Sequence, residues 1–147
     1  LVKAYTTATF TLDRIHIRMF TATDADRADI VDELIDRFGE VPPSVETLLD
    51  IAQLRAQANK LAICQVTYKQ GGYLVLKIDL KHLPQDDEGY ITAMSQADKR
   101  IMPSRMHPDV LIFAAPGLNE YGILREAVKA LMKWNQCFDE LTAAKNA

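Results

Sequence analysis

The spacing of hydrophobic residues predicts a helix near the start of the chain. Apolar side chains recur at helical intervals from Ile30 to Phe38. Thr23, with Asp26 three residues later, resembles a capping box, in which each residue satisfies a backbone N–H of the first turn. Gly39 is predicted to end this helix, because glycine readily adopts the left-handed conformation that follows a helix.

A second helix is predicted to begin at Pro42 and Pro43 and to run to about Leu61. Proline suits the first turn, since its φ is already helical and its missing N–H would have no helical partner. The apolar residues of this segment cover more than one narrow stripe, and its alanines allow neighbouring elements to approach closely. We therefore expect it to be the central packed helix.

The period then changes from helical spacing to strict alternation, which indicates a β-hairpin. Apolar residues alternate from Cys64 to Tyr68 before Gly71-Gly72, and again from Leu74 to Leu80 after it. The two glycines are suited to the tight turn that joins the strands.

The rest of the chain reads as alternating helices and strands. Residues 86–88 are acidic and are predicted to cap a short helix, and strands are predicted at 100–102 and 110–114. Asn119 is the predicted N-cap of a long amphipathic helix. The fold class is therefore α+β, with helices packed on a small, mostly antiparallel β-sheet in a single compact domain.

The domain is expected to span residues 23–147, after a looser lead-in at 1–22. Residues 12–20 fit either a short helix or an alternating strand, and the sequence does not choose between them. The chain opens with Leu1 rather than methionine, so we expect it to be a fragment of a longer protein.

Composition and charge limit the kinds of partner and the cellular compartment that are expected for this chain. The chain has 147 residues, 48% hydrophobic and 25% charged, as expected for one globular domain. A net charge of -3 and a pI near 5.6 argue against direct binding of nucleic acid, which depends on clustered lysine and arginine. No apolar run is long enough to span a membrane. Two cysteines cannot build a disulfide framework, so a reducing, cytoplasmic location is expected.

The residues that usually carry catalysis or hold metals are scattered along this chain. His16, His82 and His107 lie in unrelated segments without a second ligand at metal-binding spacing, and Cys64 and Cys137 are both expected to be buried in the packing. There is no G-x-G-x-x-G or Walker motif. We therefore predict no catalytic, cofactor-binding or metal-binding residues, and the acidic residues at 86–88 are read as a helix cap rather than a cation site.

The first predicted helix carries an unusual run of acidic residues. Asp29, Glu33, Asp36 and Glu40 follow one another at helical spacing, and Asp32 adds a further like-charge pair with Asp36. Each such pair costs an isolated helix about 0.2–0.5 kcal/mol. Arg37 is close enough to relieve some of this repulsion through Glu33. The acidic residues are either a solvated face or a surface that docks on a basic partner.

The same residues resemble a known protein family. Glu33-Leu34-Ile35-Asp36-Arg37-Phe38-Gly39, then Val41-Pro42, then Val45 and Leu48-Leu49-Asp50-Ile51-Ala52 leading to Leu54-Arg55 and Ala58, are similar to the carboxy-terminal TRCF domain of bacterial transcription-repair coupling factors, the Mfd family. The succession covers about thirty residues. Ala62 departs from the pattern, because the family usually has glycine there.

The resemblance implies a regulatory domain of a large ATP-driven DNA translocase that displaces stalled RNA polymerase and recruits nucleotide-excision repair through UvrA. In the family, this domain is held against an amino-terminal UvrB-like module of the same protein and covers the surface that UvrA must reach. Glu33 and Asp36 match the positions expected to pair with arginines of that module. The motor lies outside this chain, so the chain itself is expected to be non-catalytic.

Two other classes of function fit parts of the sequence. A free-standing interaction module with a basic partner would show the same acidic helix. A small-molecule sensor would need a pocket between sheet and helices, with Tyr68, Tyr73 and Trp134 as candidate lining residues. These aromatic residues are more simply explained by core packing.

Overall fold

The described part of the chain forms four α-helices and a four-stranded sheet. A computed structural model describes residues 24–40 and 43–146. The elements are α1 (Asp24–Phe38), α2 (Pro43–Lys60), β1 (Ile63–Lys69), β2 (Tyr73–Ile78), a short 3-10 helix (Leu80–His82), α3 (Asp87–Ala97), β3 (Ile101–Pro103), β4 (Val110–Ala114) and α4 (Glu120–Asn146). The predicted α+β class is confirmed. The alternative states of residues 12–20 and the cap at Thr23 lie outside the described residues, and the predicted boundaries 1–22 and 23–147 stay predictions.

The backbone forms two compact units, divided inside α2 between Ala56 and Gln57. In the first unit, Gly39 ends α1 as predicted. Its φ is 79°, and its N–H donates to the Ile35 carbonyl at 2.8 Å. Glycine adopts this conformation without the steric cost that a Cβ would impose.

Helix α2 begins at Pro43 and has a broad buried surface, as its apolar pattern predicted. Leu49 and Leu54 are buried, and so are the polar residues Asp50 and Gln53. The small side chains of Ala52, Ala56 and Ala58 are also buried, which permits close packing along most of the helix.

The second unit is built on an antiparallel sheet with strand order β1-β2-β4-β3. The predicted alternation of β2 is confirmed, because Leu74, Leu76 and Ile78 are buried while Tyr73 and Lys77 are exposed. The cross-strand partners of Leu74 and Leu76 on β4 are buried too. One face of the sheet therefore forms the core of this unit.

Strand β1 departs from the predicted alternation at Cys64. Ile63 pairs with Ile78 and Gln65 pairs with Lys77, so Cys64 is an extra residue in a β-bulge. The bulge leaves Cys64 exposed, and its Sγ lies 3.4 Å from the Lys77 carbonyl oxygen. The expectation that Cys64 is buried is therefore wrong, while Cys137 is half-buried on α4. Leu80 also leaves the alternating pattern, since it is 51% exposed in the 3-10 helix.

Both predicted helix caps in this unit are confirmed. The Asp86 carboxylate accepts a hydrogen bond from the Gly89 N–H at 3.0 Å at the start of α3. The Asn119 side chain accepts one from the Gly122 N–H at 2.8 Å at the start of α4. Each cap satisfies a first-turn donor that has no partner within its own helix. At the other end of α4, Lys145 donates to Asp86 at 2.8 Å and so joins the two helices.

The core of the second unit is organised around two aromatic residues. Tyr90 on α3 donates through its hydroxyl to the Leu61 carbonyl at 2.6 Å. Trp134 on α4 is fully buried, and its Nε1 donates to the Tyr90 carbonyl at 3.0 Å. The two rings lie 4.8 Å apart between centroids. A further buried bond joins the Asn135 amide to the Gln57 side chain at 2.7 Å.

An ionic cluster connects the loop before β3 to α4. The Arg100 guanidinium donates to Asp98 at 2.8 Å and to Glu126 at 3.3 Å. Its Cζ also lies 4.9 Å from the centroid of the Phe113 ring, a cation–π distance. The hydrogen bonds from Arg100 hold the pKa of the Asp98 carboxyl below its usual value. Helix α4 therefore packs on the sheet face that carries Phe113.

No helix in the described ranges is long and apolar enough to cross a membrane.

The backbone at Ala62 is strained, and substitution can measure the cost of this strain to stability. Ala62 follows α2 with a φ of 59°, a left-handed conformation that costs a residue with a Cβ about 1–2 kcal/mol. Glycine at this position would avoid this cost, because it has no Cβ. We expect Ala62→Gly to raise the free energy of unfolding by about 0.5–1 kcal/mol, after allowing for the greater freedom of glycine in the unfolded chain. Urea denaturation measures this change.

Ala58→Gly is the matched control, because it removes the same methyl group from a buried residue inside α2. It should lower the free energy of unfolding by about 1 kcal/mol, the ordinary helix penalty of glycine. A loss of stability in both variants would contradict the strain assigned to Ala62.

The Asp98–Arg100 pair generates a prediction about acid stability. A carboxyl whose pKa is lowered by folding stabilises the protein fully above its unfolded pKa, and this contribution disappears as the pH falls through the folded value. We expect Asp98→Asn to cost about 1 kcal/mol at neutral pH. Because the variant has already lost this contribution, its stability should fall less than that of the wild type as the pH is lowered below about 4.

Guanidinium denaturation at several pH values measures both effects. Asp139→Asn, at an exposed position of α4, is the control and should leave the profile close to wild type. Parallel pH profiles for wild type and Asp98→Asn would rule out the pair as a source of acid sensitivity.

Candidate docking surface

Helix α1 brings most of the predicted acidic residues onto one side. Successive residues of an α-helix are rotated by about 100°, so Asp29, Glu33 and Asp36 lie within about 60° of one another and Asp32 borders them. The rise between Asp29 and Asp36 is about 10 Å. Asp29, Asp32 and Asp36 are exposed, and the Glu33 side chain is 38% exposed. We call these four residues the acidic stripe.

Arg37 relieves the repulsion within the acidic stripe as the sequence predicted. Its guanidinium lies 3.1 Å from the Glu33 carboxylate, one helical turn away. The Arg37 side chain is 59% exposed, so solvent screens this ion pair and its contribution to stability is small. The stripe therefore keeps a strong negative charge toward solvent.

Glu40 does not belong to this helical face, although its spacing predicted that it would. Helix α1 ends at Phe38, and the left-handed conformation of Gly39 turns the chain before Glu40. Glu40 is exposed on the bend after the helix. The i to i+11 spacing was therefore misleading, because the helix stops before the fourth acidic residue.

Two exposed apolar residues were missed by the sequence analysis. Ile35 and Leu48 belong to the apolar patterns of their helices, yet they are 46% and 39% exposed. Leu34, beside Ile35 in the sequence, belongs to the same pattern and is buried. Exposed apolar residues close to charged ones are typical of docking surfaces, in which a hydrophobic contact is surrounded by polar groups. Helical spacing alone could not separate Ile35 from Leu34, since both lie near the apolar side.

The described residues do not bring together the aromatic side chains of the predicted sensor pocket, and the described histidines lie apart from one another. Tyr68 and Tyr73 lie on opposite faces of the sheet, because Tyr68 pairs with Leu74 and Tyr73 pairs with Lys69. Trp134 belongs to the core described above. His82 lies 2.6 Å from the Asp79 carboxylate in an exposed turn, and His107 is on an exposed loop. His16 is outside the described residues.

Across residues 24–40 and 43–146, no three histidine, cysteine, aspartate or glutamate side chains come together as a metal-binding group. The acidic residues at 86–88 act instead through the Asp86 cap. The Lys145 hydrogen bond lowers the pKa of the Asp86 carboxyl, which keeps it charged as a hydrogen-bond acceptor.

Each of three comparisons with known proteins gives a match. Residues 16–86 match the family model of the TRCF domain, a segment that includes the acidic stripe. The transcription-repair-coupling factor of Escherichia coli (strain K12) is 41% identical over 61 residues, which cover 42% of this chain and 5% of that protein. The chain thus corresponds to a small part of this relative.

The third match is structural. A crystal structure of the C-terminal domain of transcription-repair coupling factor superposes with a TM-score of 0.66 and covers 86% of this chain and 80% of that one. The sequences are 20% identical, so this similarity shows a shared fold. It extends beyond the segment of the sequence match. The three findings confirm the resemblance seen in the sequence: residues 16–86 match the TRCF family model, and the chain is similar to transcription-repair coupling factors in part of its sequence and in its fold.

Proposed function

We propose that this chain is a non-catalytic regulatory domain of a transcription-repair coupling factor. Its acidic stripe docks on a basic surface of the UvrB-like module of the same parent protein. In the docked state it masks the surface to which UvrA binds, and so keeps the parent autoinhibited. The observation that carries the proposal is the exposed acidic stripe of α1, which lies inside the segment that matches the TRCF family.

The placement of the acidic residues is unfavourable for the helix itself. Asp36 lies in the last turn of α1, where the negative end of the helix dipole disfavours a carboxylate. Asp32 lies four residues before it and adds like-charge repulsion. Lysine at either position would favour the helix. A charge pattern that opposes local stability is expected where a partner uses the charges.

The stripe is suited to arginine-bearing partners. Glu33 and Asp36 are three residues apart, so their carboxylates project from adjacent turns of the same face. Arginine can bind a carboxylate through two parallel hydrogen bonds, which gives direction as well as attraction. In the undocked state Arg37 partly neutralises Glu33, and an incoming arginine would share or replace that contact. Exposed Ile35 would add an apolar contact beside the charges.

Weak docking is sufficient for such a switch. When two modules belong to one chain, the tether supplies an effective concentration of the order of millimolar. A contact of modest affinity then keeps the UvrA-binding surface covered most of the time. Because the contact is weak, a rearrangement that costs a few kcal/mol elsewhere in the parent protein is enough to release it.

Reversing the charge of Asp36 alone tests what this residue costs the stability of α1. We expect Asp36→Lys to raise the free energy of unfolding by about 0.3–1 kcal/mol, because it reverses an unfavourable interaction with the helix dipole and removes the repulsion with Asp32. Thermal and urea denaturation measure the change. Glu120 lies in the first turn of α4, where the positive end of the helix dipole favours a carboxylate. Glu120→Lys should therefore be destabilising. Equal effects of the two variants would contradict this account.

Reversing the charges of Glu33 and Asp36 together tests docking itself. We expect calorimetric titration of this chain with the isolated UvrB-like module to show binding that weakens as salt is raised. The double variant Glu33→Lys, Asp36→Lys should lower the affinity by at least about tenfold, since each lost charge pair is replaced by repulsion. Competition with UvrA for the module should be lost in the same variant.

Asp139→Lys, Glu140→Lys is the matched control, because it changes the net charge equally at exposed positions of α4. It should retain most of the affinity. Binding that survives charge reversal at Glu33 and Asp36 would remove the acidic stripe as the interface. A similar loss in both double variants would indicate only general electrostatic attraction.

A further inference from the structure

The sheet of the second unit has a second face whose composition is unusual. Cross-strand register aligns Thr67 with Val75, Val75 with Ile112, and Ile112 with Met102. These four residues form one row across all four strands, on the face opposite Leu74 and Phe113. We call the face that carries this row the outer face.

The outer face is partly open to solvent. Met102 is 57% exposed and Tyr73 is 42% exposed, while Val75 and Ile112 are half-buried. The opposite face carries the buried core, and α4 packs on that side through the Arg100–Glu126 contact above Phe113. The outer face is therefore not the face that α4 covers.

Strand β4 has the composition of a strand that is covered on both faces. Its sequence, VLIFA, is apolar at every position, whereas a strand with one solvated face normally alternates with polar residues. Leu111 and Phe113 point into the core, and Val110 and Ile112 belong to the outer face. Three adjacent apolar residues on a partly exposed sheet face, here Val75, Ile112 and Met102, are typical of an interaction surface.

Charge on the outer face selects the kind of partner. The register assigns ten residues of the four strands to this face, and none of them is acidic, although the whole chain has more acidic than basic residues. Lys69 and Lys77 flank the apolar row on β1 and β2. The surface is therefore apolar at its centre with positive charge beside it.

We propose that the outer face is a docking surface for an amphipathic segment of a protein partner, in which an apolar stripe is flanked by carboxylates. The stripe would cover Val75, Ile112 and Met102, and the carboxylates would meet Lys69 and Lys77. A second copy of this chain fits less well, because a symmetric contact would bring the lysines of the two faces toward each other. Nucleic acid fits less well too, since Tyr73 is the one aromatic residue among the ten and base recognition on sheets relies on several.

This inference does not depend on the acidic stripe, which lies in the first unit. Its test uses the whole chain labelled with nitrogen-15, and its probe is a synthetic amphipathic helical peptide of about 18 residues, made in two versions. One version places glutamates beside its leucine stripe, and the other places lysines there. We expect the glutamate peptide to cause saturable shifts in the amide resonances of Thr67, Val75, Ile112 and Met102. The lysine peptide should bind at least about tenfold more weakly.

Variants of Met102 assign the binding to this face. Met102→Glu should weaken binding of the glutamate peptide by about tenfold, because it adds a repelling charge and removes an apolar contact. Met102→Lys loses the same apolar side chain but keeps the positive charge of the outer face. It should therefore bind the glutamate peptide at least about fivefold more tightly than Met102→Glu does. Ile91→Glu, on α3, is the matched control, since Ile91 is also 57% exposed. It should leave the affinity unchanged.

Several results would overturn the proposal. Equal binding of the two peptides, shifts confined to other parts of the chain, or equal affinities of the Met102→Glu and Met102→Lys variants would each exclude this mode of docking. Binding to phosphatidylglycerol vesicles with no response to the glutamate peptide would assign the face to lipid. A dimer seen by sedimentation velocity and lost in Met102→Glu would assign it to a second copy.

Discussion

The second unit depends on a hydrogen bond at the end of α2. The last carbonyl groups of a helix have no partner within that helix, and Leu61 is buried, so its carbonyl cannot rely on water. The Tyr90 hydroxyl fills that role from α3. Burial raises the pKa of Tyr90, which keeps the hydroxyl protonated as a donor across the physiological range. Trp134 then fixes Tyr90 in turn by donating to its backbone carbonyl.

These hydrogen bonds connect α2, α3 and α4 near Leu61. They also help to explain the strained backbone of the next residue, Ala62. The chain must leave α2 sharply so that β1 can enter the sheet, and Ala62 makes the turn in a left-handed conformation. Its carbonyl accepts from the Asp79 N–H at 2.8 Å, so the turn is also tied to the far end of the hairpin. Contacts on both sides of Ala62 hold a conformation that alanine alone would disfavour.

Local signals in the sequence were sufficient for the elements but not for the exceptions within them. Helical spacing, the Asp86 and Asn119 caps and the Gly39 stop predicted the helices, because each acts over a few residues. The Cys64 bulge depends on register with β2, and the Tyr90–Leu61 bond joins residues 29 positions apart. Neither the bulge nor this hydrogen bond produces a periodic pattern in the sequence. Glu40 was misplaced for a related reason, since a spacing rule continues past Gly39 whereas the helix does not.

The residues of the acidic stripe and the helix that carries them could be predicted from the sequence. Which apolar side chains beside them are exposed could not. Arg37 was expected to pair with Glu33 and does so, because partners one turn apart are set by helix geometry alone. The exposure of Ile35 depends on what packs against α1, which no local pattern encodes. An apolar side chain beside a row of carboxylates changes the character of the surface. Charge alone attracts a partner at long range, whereas an apolar contact contributes affinity after water is expelled.

The two candidate surfaces differ in the sign of their charge, and this difference has a consequence for specificity. The acidic stripe repels acidic partners, and the outer face, with lysines and no carboxylate among its ten residues, repels basic ones. A single partner segment of uniform charge cannot satisfy both. Because the residues between Asp24 and Asp50 carry a net charge of -7 within a chain of net charge -3, the rest of the chain is positive by four charges. If both proposed surfaces bind, a segregation of this size would keep two unlike partners apart, because each would be excluded from the other's surface by electrostatic repulsion.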